Sequence, residues 1–266
     1  MKCVSLDLDG TLLNSSHEIS AENKKTIRML QDKGIEVILN TGRAYKDVVK
    51  VPGIRELNCP IFCVNGAVLY SKTGKLLYEA TIDTSSYKEI LSTLRELEVG
   101  VLVYTNHGGF PSTLPPLHSK SKEELDTLFR EFNYDDILNQ EDLKIYKLIA
   151  LVHYEELEKI EIVKQALSSR NEISFASSFP NNVEITSIEA QKGKALRRYE
   201  VMHNLLFEEI YAFGDGGNDL SQFEMATESI AMENAPQEIK EKATIVTKSN
   251  DEDGVSYAIR HILKLV

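Results

Sequence analysis

Three short strings in the chain combine residue types that can do chemistry. Asp7-Leu8-Asp9-Gly10-Thr11 sets two carboxylates two residues apart. Thr41-Gly42-Arg43 offers a hydroxyl, a backbone open to close approach, and a guanidinium. Gly214-Asp215-Gly216-Gly217-Asn218-Asp219 adds two carboxylates and a side-chain amide. If Asp7, Asp9 and Asp215 converge, each like-charged pair at about 4 Å costs on the order of 4 kcal/mol at an effective dielectric of about 20. A divalent cation offsets that repulsion. Hard oxygen donors without His or Cys beside them favour Mg²⁺, which would also hold a phosphate oxygen and neutralise charge during transfer. Lys192, ahead of Gly193, supplies a cation. With the backbone amides of Leu8 and Gly42 it would give an anion its counter-charge.

Other readings of these strings fail on spacing. Set in a calcium-loop frame, Asp7-x-Asp9-Gly10 would need Asp and Glu where Ser5 and Ser16 stand. Asp251-Glu252-Asp253-Gly254 fails the same frame at Ser249 and Arg260 and reads as a solvated turn. Gly214-Asp215-Gly216 meets Asp219 where a dinucleotide fingerprint needs its last glycine. His107-Gly108-Gly109 hints at an esterase oxyanion loop, but the chain has no Gly-x-Ser-x-Gly elbow.

The elements that must position these strings alternate between strand and helix. Cys3–Leu8, Ile35–Leu39 and Ile61–Val64 read as strands, with a helix from Ser20 as N-cap to Lys33, stopped by Gly34. This spacing predicts right-handed crossovers and a parallel sheet. The texture then changes. Lys75–Ile82 and Val99–Tyr104 read as strands, Tyr87–Glu98 as a helix, and the Gly-, Pro- and Ser-rich His107–Ser119 as loop. A charged helix at Lys122–Glu131, a strand at Ile145–Val152 and a helix at Glu155–Leu167 follow. Glu172–Ser177 and Val183–Ile188 read as a strand pair around Pro180-Asn181-Asn182. From Lys192 the first texture returns: a helix to about Leu206, the strand Glu209–Phe213, a helix after Asp219, and short strands at Ser229–Met232 and Ala243–Val246. The expected fold is therefore α/β. A Rossmann-like parallel-sheet core, residues 1–82 and 188–266, is interrupted by an α+β domain at 83–187. The three strings then follow strand C-terminal ends, where open parallel sheets bind ligands.

Composition narrows the function classes. The chain has 266 residues, 42% of them hydrophobic, enough for a sizeable core. A formal net charge of −11 argues against a nucleic-acid partner. No stretch approaches the length of a membrane span, and the N-terminal apolar run is broken too early for a signal peptide. Cys3, Cys59 and Cys63 match neither a redox nor a zinc spacing, and buried thiols in a reducing cytoplasm are expected. The six histidines lack a pair at i, i+4. No obligate protein partner is evident.

Taken together, the strings resemble the haloacid dehalogenase superfamily of phosphohydrolases, in particular its Cof-type members with a large inserted cap. The resemblance spans the whole chain: Leu6-Asp7-Leu8-Asp9-Gly10-Thr11-Leu12-Leu13, Asn40-Thr41-Gly42-Arg43, Asn65-Gly66-Ala67, Glu184-Ile185, Lys192-Gly193-Lys194-Ala195-Leu196, Gly214 to Asp219, and Ala231-Met232-Glu233-Asn234-Ala235. It implies an Mg²⁺-dependent phosphomonoesterase for a small phosphorylated metabolite, such as a sugar phosphate. Asp7 would be nucleophile and metal ligand. Asp9 would be general acid and base, with its backbone carbonyl on the metal. Leu8, Thr41, Gly42, Lys192 and Asn218 would bind phosphate, Asp215 would be a metal ligand, and Asp219 would support the metal through water. Arg43 would help to fix its loop, and the inserted domain would set substrate specificity, with His107–Ser119 and the turn at Pro180-Asn181-Asn182 as candidate contacts. The chain departs from the family at Gln222, where Met is usual, and at Thr227 and Glu233, where Gly is common. A phosphomutase would use the same two aspartates, and a ligand sensor could keep the fold. Needing no phosphoryl acceptor other than water favours the hydrolase over the mutase, and the retention of every charged site residue argues against the sensor. Sugar phosphates, flavin mononucleotide and pyridoxal phosphate all remain open as substrates.

Overall fold

The apolar run after Lys2 forms the strand Lys2–Leu6 (β1), whose Cys3, Val4, Ser5 and Leu6 are all buried. A strand buried on both faces belongs inside a parallel sheet, and β1 lies between two parallel neighbours. The computed structural model describes residues 1–113 and 117–266. The chain divides into two units, Met1–Glu79 with Ala190–Val266, and Ala80–Glu189.

In chain order the strands after β1 are Glu36–Asn40 (β2), Ile61–Cys63 (β3), Val68–Tyr70 (β4) and Leu76–Glu79 (β5). The second unit contributes Gly100–Thr105 (β6), Gly108–Phe110 (β7), Ile145–Leu151 (β8), Ile173–Ala176 (β9) and Asn182–Ser187 (β10). Glu209–Gly214 (β11), Glu228–Ala231 (β12) and Ile245–Val246 (β13) complete the first unit.

The first unit's sheet runs β13-β12-β11-β1-β2-β3-β4-β5. It is parallel from β13 to β3 and antiparallel from β3 to β5. Leu6 stands beside Phe213 on one side and Leu39 on the other, so the segments after β1, β2 and β11 leave the sheet abreast. The helix Ala21–Asp32 starts at Ser20, whose hydroxyl accepts from Asn23 N at 3.0 Å, and buries Ile27 and Leu30. The helix Lys192–His203 packs Ala195, Leu196 and Tyr199 into a core with Cys3, Ile38, Phe62 and Leu69.

The second unit is a five-stranded antiparallel sheet in the order β7-β6-β8-β10-β9. Its helices Thr84–Glu96 and Lys159–Ala166 bury Tyr87, Ile90, Leu94 and Val163 in one core with Val101, Leu148 and Ile185 from the sheet. Ile82 pairs with Ile145, and Ile188 N donates to Glu172 O, which ties both margins of the segment into this unit.

Several expectations shift. Part of the expected His107–Ser119 loop is strand: Gly108–Phe110 pairs with Val103–Thr105, and Thr105 Oγ1 donates to Gly108 O at 3.2 Å. Ladder bonds are made by the backbone, so a glycine-rich strand is invisible to side-chain patterning. Residues 114–116 of that stretch lie outside the described residues. The expected helix Glu155–Leu167 is a short turn at Tyr154–Glu156 followed by Lys159–Ala166. Strand β4 was not legible, and the last strand shrinks to Ile245–Val246. Among the described residues, no helix is long and apolar enough to cross a membrane.

Candidate active site

The chain leaves β1 at Asp7, whose N–H still donates to Phe213 O at 3.1 Å, and then coils. Leu12 N donates back to Asp7 O at 3.3 Å and Leu13 N to Leu8 O at 2.8 Å, burying the Leu8 side chain. Gly10 makes the turn possible. Its φ is +70°, and a Cβ there would lie 2.2 Å from Asp215 Oδ2. Thr11 Oγ1 donates to Asp215 Oδ1 at 3.0 Å, and Asn234 Nδ2 donates to Gly10 O at 2.8 Å. The loops after β1 and β11 are thereby fastened to each other.

Lys192 opens the helix Lys192–His203 and is completely buried. Its Nζ donates to Asp7 Oδ1 and to Asp219 Oδ1, each at 2.6 Å. Asp219 Oδ1 also accepts from Gln222 Nε2 at 2.8 Å, while Oδ2 accepts from the N–H groups of Asp215 and Gly216, both at 3.0 Å. Four donors fill the acceptor capacity of one carboxylate. Asp219 is therefore a hub that fixes its neighbours. On Asp7 only Oδ1 is engaged, and no hydrogen bond reaches Oδ2 among the described residues.

Electrostatics follow from burial. Desolvation drives the Asp7 carboxyl well above its ordinary range; Lys192 pulls it down, and Asp219 and Asp215 push it further up. Burial likewise raises Asp215 to about 7, with the Asp219 charge adding to the rise. Desolvation disfavours the charge on Lys192, but Asp219 and Asp7 outweigh it, so its pKa is raised and the ammonium persists. The cluster thus sets one fixed positive charge among three carboxyls, two of which burial shifts upward.

Asp7, Asp215 and Asp219 each present a carboxylate oxygen within 4.8 Å of the others. This set fits a hard divalent cation: the donors are all oxygen, and a cation would offset the repulsion among carboxylates held this close. Asp7 and Asp215 have oxygens to give. Asp219, with both oxygens occupied, would hold those two ligands and Lys192 in place.

Thr41, Gly42 and Asn218 gather around a residue to which the sequence reading gave no role. Asn218 Nδ2 donates to Asn65 Oδ1 at 3.1 Å, and a Cβ on Gly42 would lie 3.1 Å from that same oxygen. Asn65 N donates to Thr41 O at 3.0 Å, and Thr41 Oγ1 accepts from Arg43 N at 3.1 Å. Asn65 takes the left-handed conformation, φ 57°, in the turn after β3. The signal was available: Asn65-Gly66 follows a strand end, as Thr41-Gly42 does.

Asp9 departs from expectation. Its carboxylate is not in the buried cluster. It is half-exposed and forked by Arg43, with Nε to Oδ2 at 2.7 Å and a second bond from Nη2 to Oδ1. Arg43 was expected only to brace its own loop. His17 Nδ1 lies 3.7 Å from the same Asp9 oxygen. The buried acidic set is Asp7, Asp215 and Asp219, and the Asp9 carboxylate, expected to lie close to Asp7 and Asp215, stands outside it.

The sequence and the fold both have known counterparts. The sequence pattern of the haloacid dehalogenase-like hydrolases matches residues 4–259, and the chain belongs to that family. It is 35% identical to the 5-amino-6-(5-phospho-D-ribitylamino)uracil phosphatase YwtE of Bacillus subtilis (strain 168), over 99% of this chain and 98% of that one. It is 33% identical to the phosphatase YwpJ of the same organism, over 99% and 100%. Among solved structures, a haloacid dehalogenase-like hydrolase from B. subtilis superposes with a TM-score of 0.84 at 30% identity, covering 98% of this chain and all of the other. The protein is an enzyme, a phosphatase of the haloacid dehalogenase type.

Proposed function

We propose that the protein is an Mg²⁺-dependent phosphomonoesterase that acts on a small phosphorylated metabolite, a sugar phosphate or similar, through an aspartyl-phosphate on Asp7. The observation that carries this reading is the asymmetry of Asp7: one oxygen is bonded to the Lys192 ammonium at 2.6 Å and the other accepts no bond among the described residues. A carboxylate held by one oxygen is oriented, and its second oxygen is available as nucleophile. Asp7 and Asp215, with the Asp9 carbonyl, would hold the cation. When bound, Mg²⁺ neutralises the transferring phosphoryl group and orients its oxygens.

The remaining steps belong to the chain. Leu8, Thr41, Gly42, Lys192 and Asn218 bind the phosphate, Asn65 fixing the side chain of Asn218. Asp7 Oδ2 bonds to phosphorus as the ester oxygen leaves, and protonated Asp9 gives its proton to that alkoxide. Asp9 then takes a proton from water, whose oxygen attacks the aspartyl-phosphate and frees inorganic phosphate and Asp7. A carboxylate forked by a guanidinium has no proton to offer, so Asp9 must leave Arg43 before the first transfer. The domain at 80–189 would select the leaving group.

One relative favours a narrower substrate. YwtE, at 35% identity, is named for dephosphorylating a ribitylaminouracil phosphate, a phosphorylated polyol on a pyrimidine. Release of inorganic phosphate from a panel of sugar phosphates, flavin mononucleotide, pyridoxal phosphate and that compound, with Mg²⁺ and with chelator, tests both readings. Turnover of one compound well above the others is expected, lost in chelator and in Asp7→Asn. Undiminished turnover by Asp7→Asn would refute the assignment of the nucleophile.

A further inference from the structure

Beneath the charged cluster lies a buried polar chain made of neutral side chains, all in the first unit. Ser5 on β1, Asn40 at the end of β2 and Gln222 in the short helix Leu220–Phe223 are fully buried. Gln222 Oε1 accepts from Ser5 Oγ at 2.7 Å and from Asn40 Nδ2 at 3.2 Å. Gln222 Nε2 donates to Asp219 Oδ1 at 2.8 Å and to Phe213 O at 3.2 Å. Both donors and both acceptor sites of the amide are used. Only one orientation serves, because a flipped amide would set its oxygen against Asp219 Oδ1 and Phe213 O and its NH₂ against the Asn40 amide.

That orientation bears on the reaction centre. Asp219 Oδ1 is shared by Gln222 Nε2 and Lys192 Nζ, and Lys192 Nζ is shared in turn by Asp219 and Asp7. Asn40 Nδ2 also donates to the backbone oxygen of Lys192 at 3.1 Å, which secures the same lysine from its main chain. A group that pulls on Asp219 sets how strongly Asp219 pulls on Lys192, and so how Lys192 is divided between the hub and the nucleophile. A neutral amide can do this without adding charge to a site that already gathers three carboxylates, two of them buried.

We infer that Gln222 is a positioning residue for phosphoryl transfer: seated by Ser5 and Asn40, it orients Asp219 and through it the Lys192 ammonium on Asp7. The inference rests on the reading of Asp7 and Lys192 as the reaction centre. A buried apolar residue of similar size would fill the volume and leave Asp219 Oδ1 with Lys192 as its only donor. Lys192 would then move toward Asp219 and away from Asp7. Misplacing a reacting group by about 1 Å costs on the order of a hundredfold in rate, and a partial shift here should cost about tenfold or more. The effect should appear in kcat, since Lys192 bears on charge that develops during transfer.

The test uses the whole protein with Mg²⁺ and nitrophenyl phosphate as substrate. Gln222→Met removes every bond of the amide. Gln222→Glu keeps an acceptor for Ser5 and Asn40 but cannot donate to Asp219. For both, kcat should fall by about tenfold or more while KM changes by less than about threefold. The affinity for orthovanadate, measured by calorimetry, should weaken in step with kcat. In an Asp219→Asn background, adding Gln222→Met should weaken vanadate binding by less than about twofold, because two residues acting through one hub are not additive. If neither Gln222 replacement folds, Ser5→Ala, which unseats the amide from one side, should still weaken vanadate binding by about threefold or more. Variants whose melting temperature falls while kcat and vanadate affinity stay within twofold of wild type would overturn the inference, leaving Gln222 a packing residue. If Asp7→Asn, run alongside, turns over normally, it is the underlying reading of the site that fails.

Discussion

Replacing Lys192 with Met tests the charged centre directly, because the side chains are similar in size and only the ammonium is lost. The Lys192 side chain is fully buried, 2.6 Å from Asp7 and from Asp219, whose side chains are 7% and 0% exposed. At an effective dielectric of about 20, each attraction is on the order of 4 kcal/mol at about 4 Å between charge centres. Desolvating the ammonium costs several kcal/mol and offsets part of this. Its removal leaves Asp7 and Asp219 facing one another without a cation, Asp219 keeping only its three neutral donors, and breaking a buried pair in this way costs about 3–5 kcal/mol. That is a large share of the roughly 5–15 kcal/mol that holds a domain folded.

The assay is urea unfolding at pH 7 in chelator. With a urea dependence of about 2–3 kcal/mol per molar, the midpoint should fall by about 1–2 M. The deficit should narrow as the pH is lowered. Burial and the Asp219 charge already hold the Asp7 carboxyl above its ordinary range, and the variant removes the Lys192 charge that pulls it down. A folded pKa above the unfolded one gives stability that is fully present below the unfolded value and lost as pH rises through the folded value. Mg²⁺ should also recover more stability in the variant than in wild type, since it brings back positive charge to the same carboxylates. A midpoint within about 0.3 M of wild type in chelator at pH 7 would refute the reasoning, because it would mean that no buried ammonium compensates these acids.

Gly10→Ala should lower turnover by about a hundredfold, as a Cβ there meets Asp215 Oδ2 at 2.2 Å; phosphate release is the measurement, and wild-type turnover would mean that the loops yield without cost. Asp9→Ala should block cleavage of sugar phosphates, whose alkoxide needs a proton, yet release one equivalent of nitrophenol from nitrophenyl phosphate before stalling, by about 10²–10⁴-fold in the hydrolysis step. Rapid quench with mass measurement of Asp7 reads this out, and steady turnover at the wild-type rate would remove Asp9 from the mechanism. Asp83 caps the helix Thr84–Glu96, accepting from Ser86 N at 3.0 Å and Ser86 Oγ at 2.9 Å, so Asp83→Ala should cost about 1 kcal/mol at pH 7 by urea unfolding. Chiefly the Ser86 N–H bond holds its pKa below the ordinary carboxylate value, so the stabilisation is present above that value and fades as pH falls through the lowered one.

The parallel core was legible because its strands are short, apolar and closed by glycine-bearing strings. Leu6 beside Phe213 and Leu39 brings the three strings abreast, as strand ends in a parallel sheet must be. The second unit was legible where periodicity is strong, as in Ile145–Leu151 with six buried residues in a row. It was not legible at Gly108–Phe110, where the ladder is a main-chain property and the side chains carry no pattern. The same holds for Val68–Tyr70, three residues being too few to establish a period.

The acidic site was misread in one respect, and the reason is local. Alternation puts residues i and i+2 on one side only while the chain remains extended. Asp7 is the last residue held by strand pairing, and Leu12 N already turns back onto its carbonyl. By Asp9 the chain is inside a coiled turn that needs Gly10 at φ +70°, so the Asp9 side chain leaves the line of Asp7 and meets Arg43 from the loop after β2. Asp219 takes the vacated electrostatic place because its own loop is short. Its Oδ2 caps the amides of Asp215 and Gly216, four and three residues back, which turns Oδ1 inward to Lys192 and Gln222. Gly214 makes room for that turn, since a Cβ there would lie 2.2 Å from Asp219 Cγ. Gly214 thus lets Asp219 share the buried ammonium with Asp7, a consequence of backbone clearance that the spacing of the carboxylates alone does not carry.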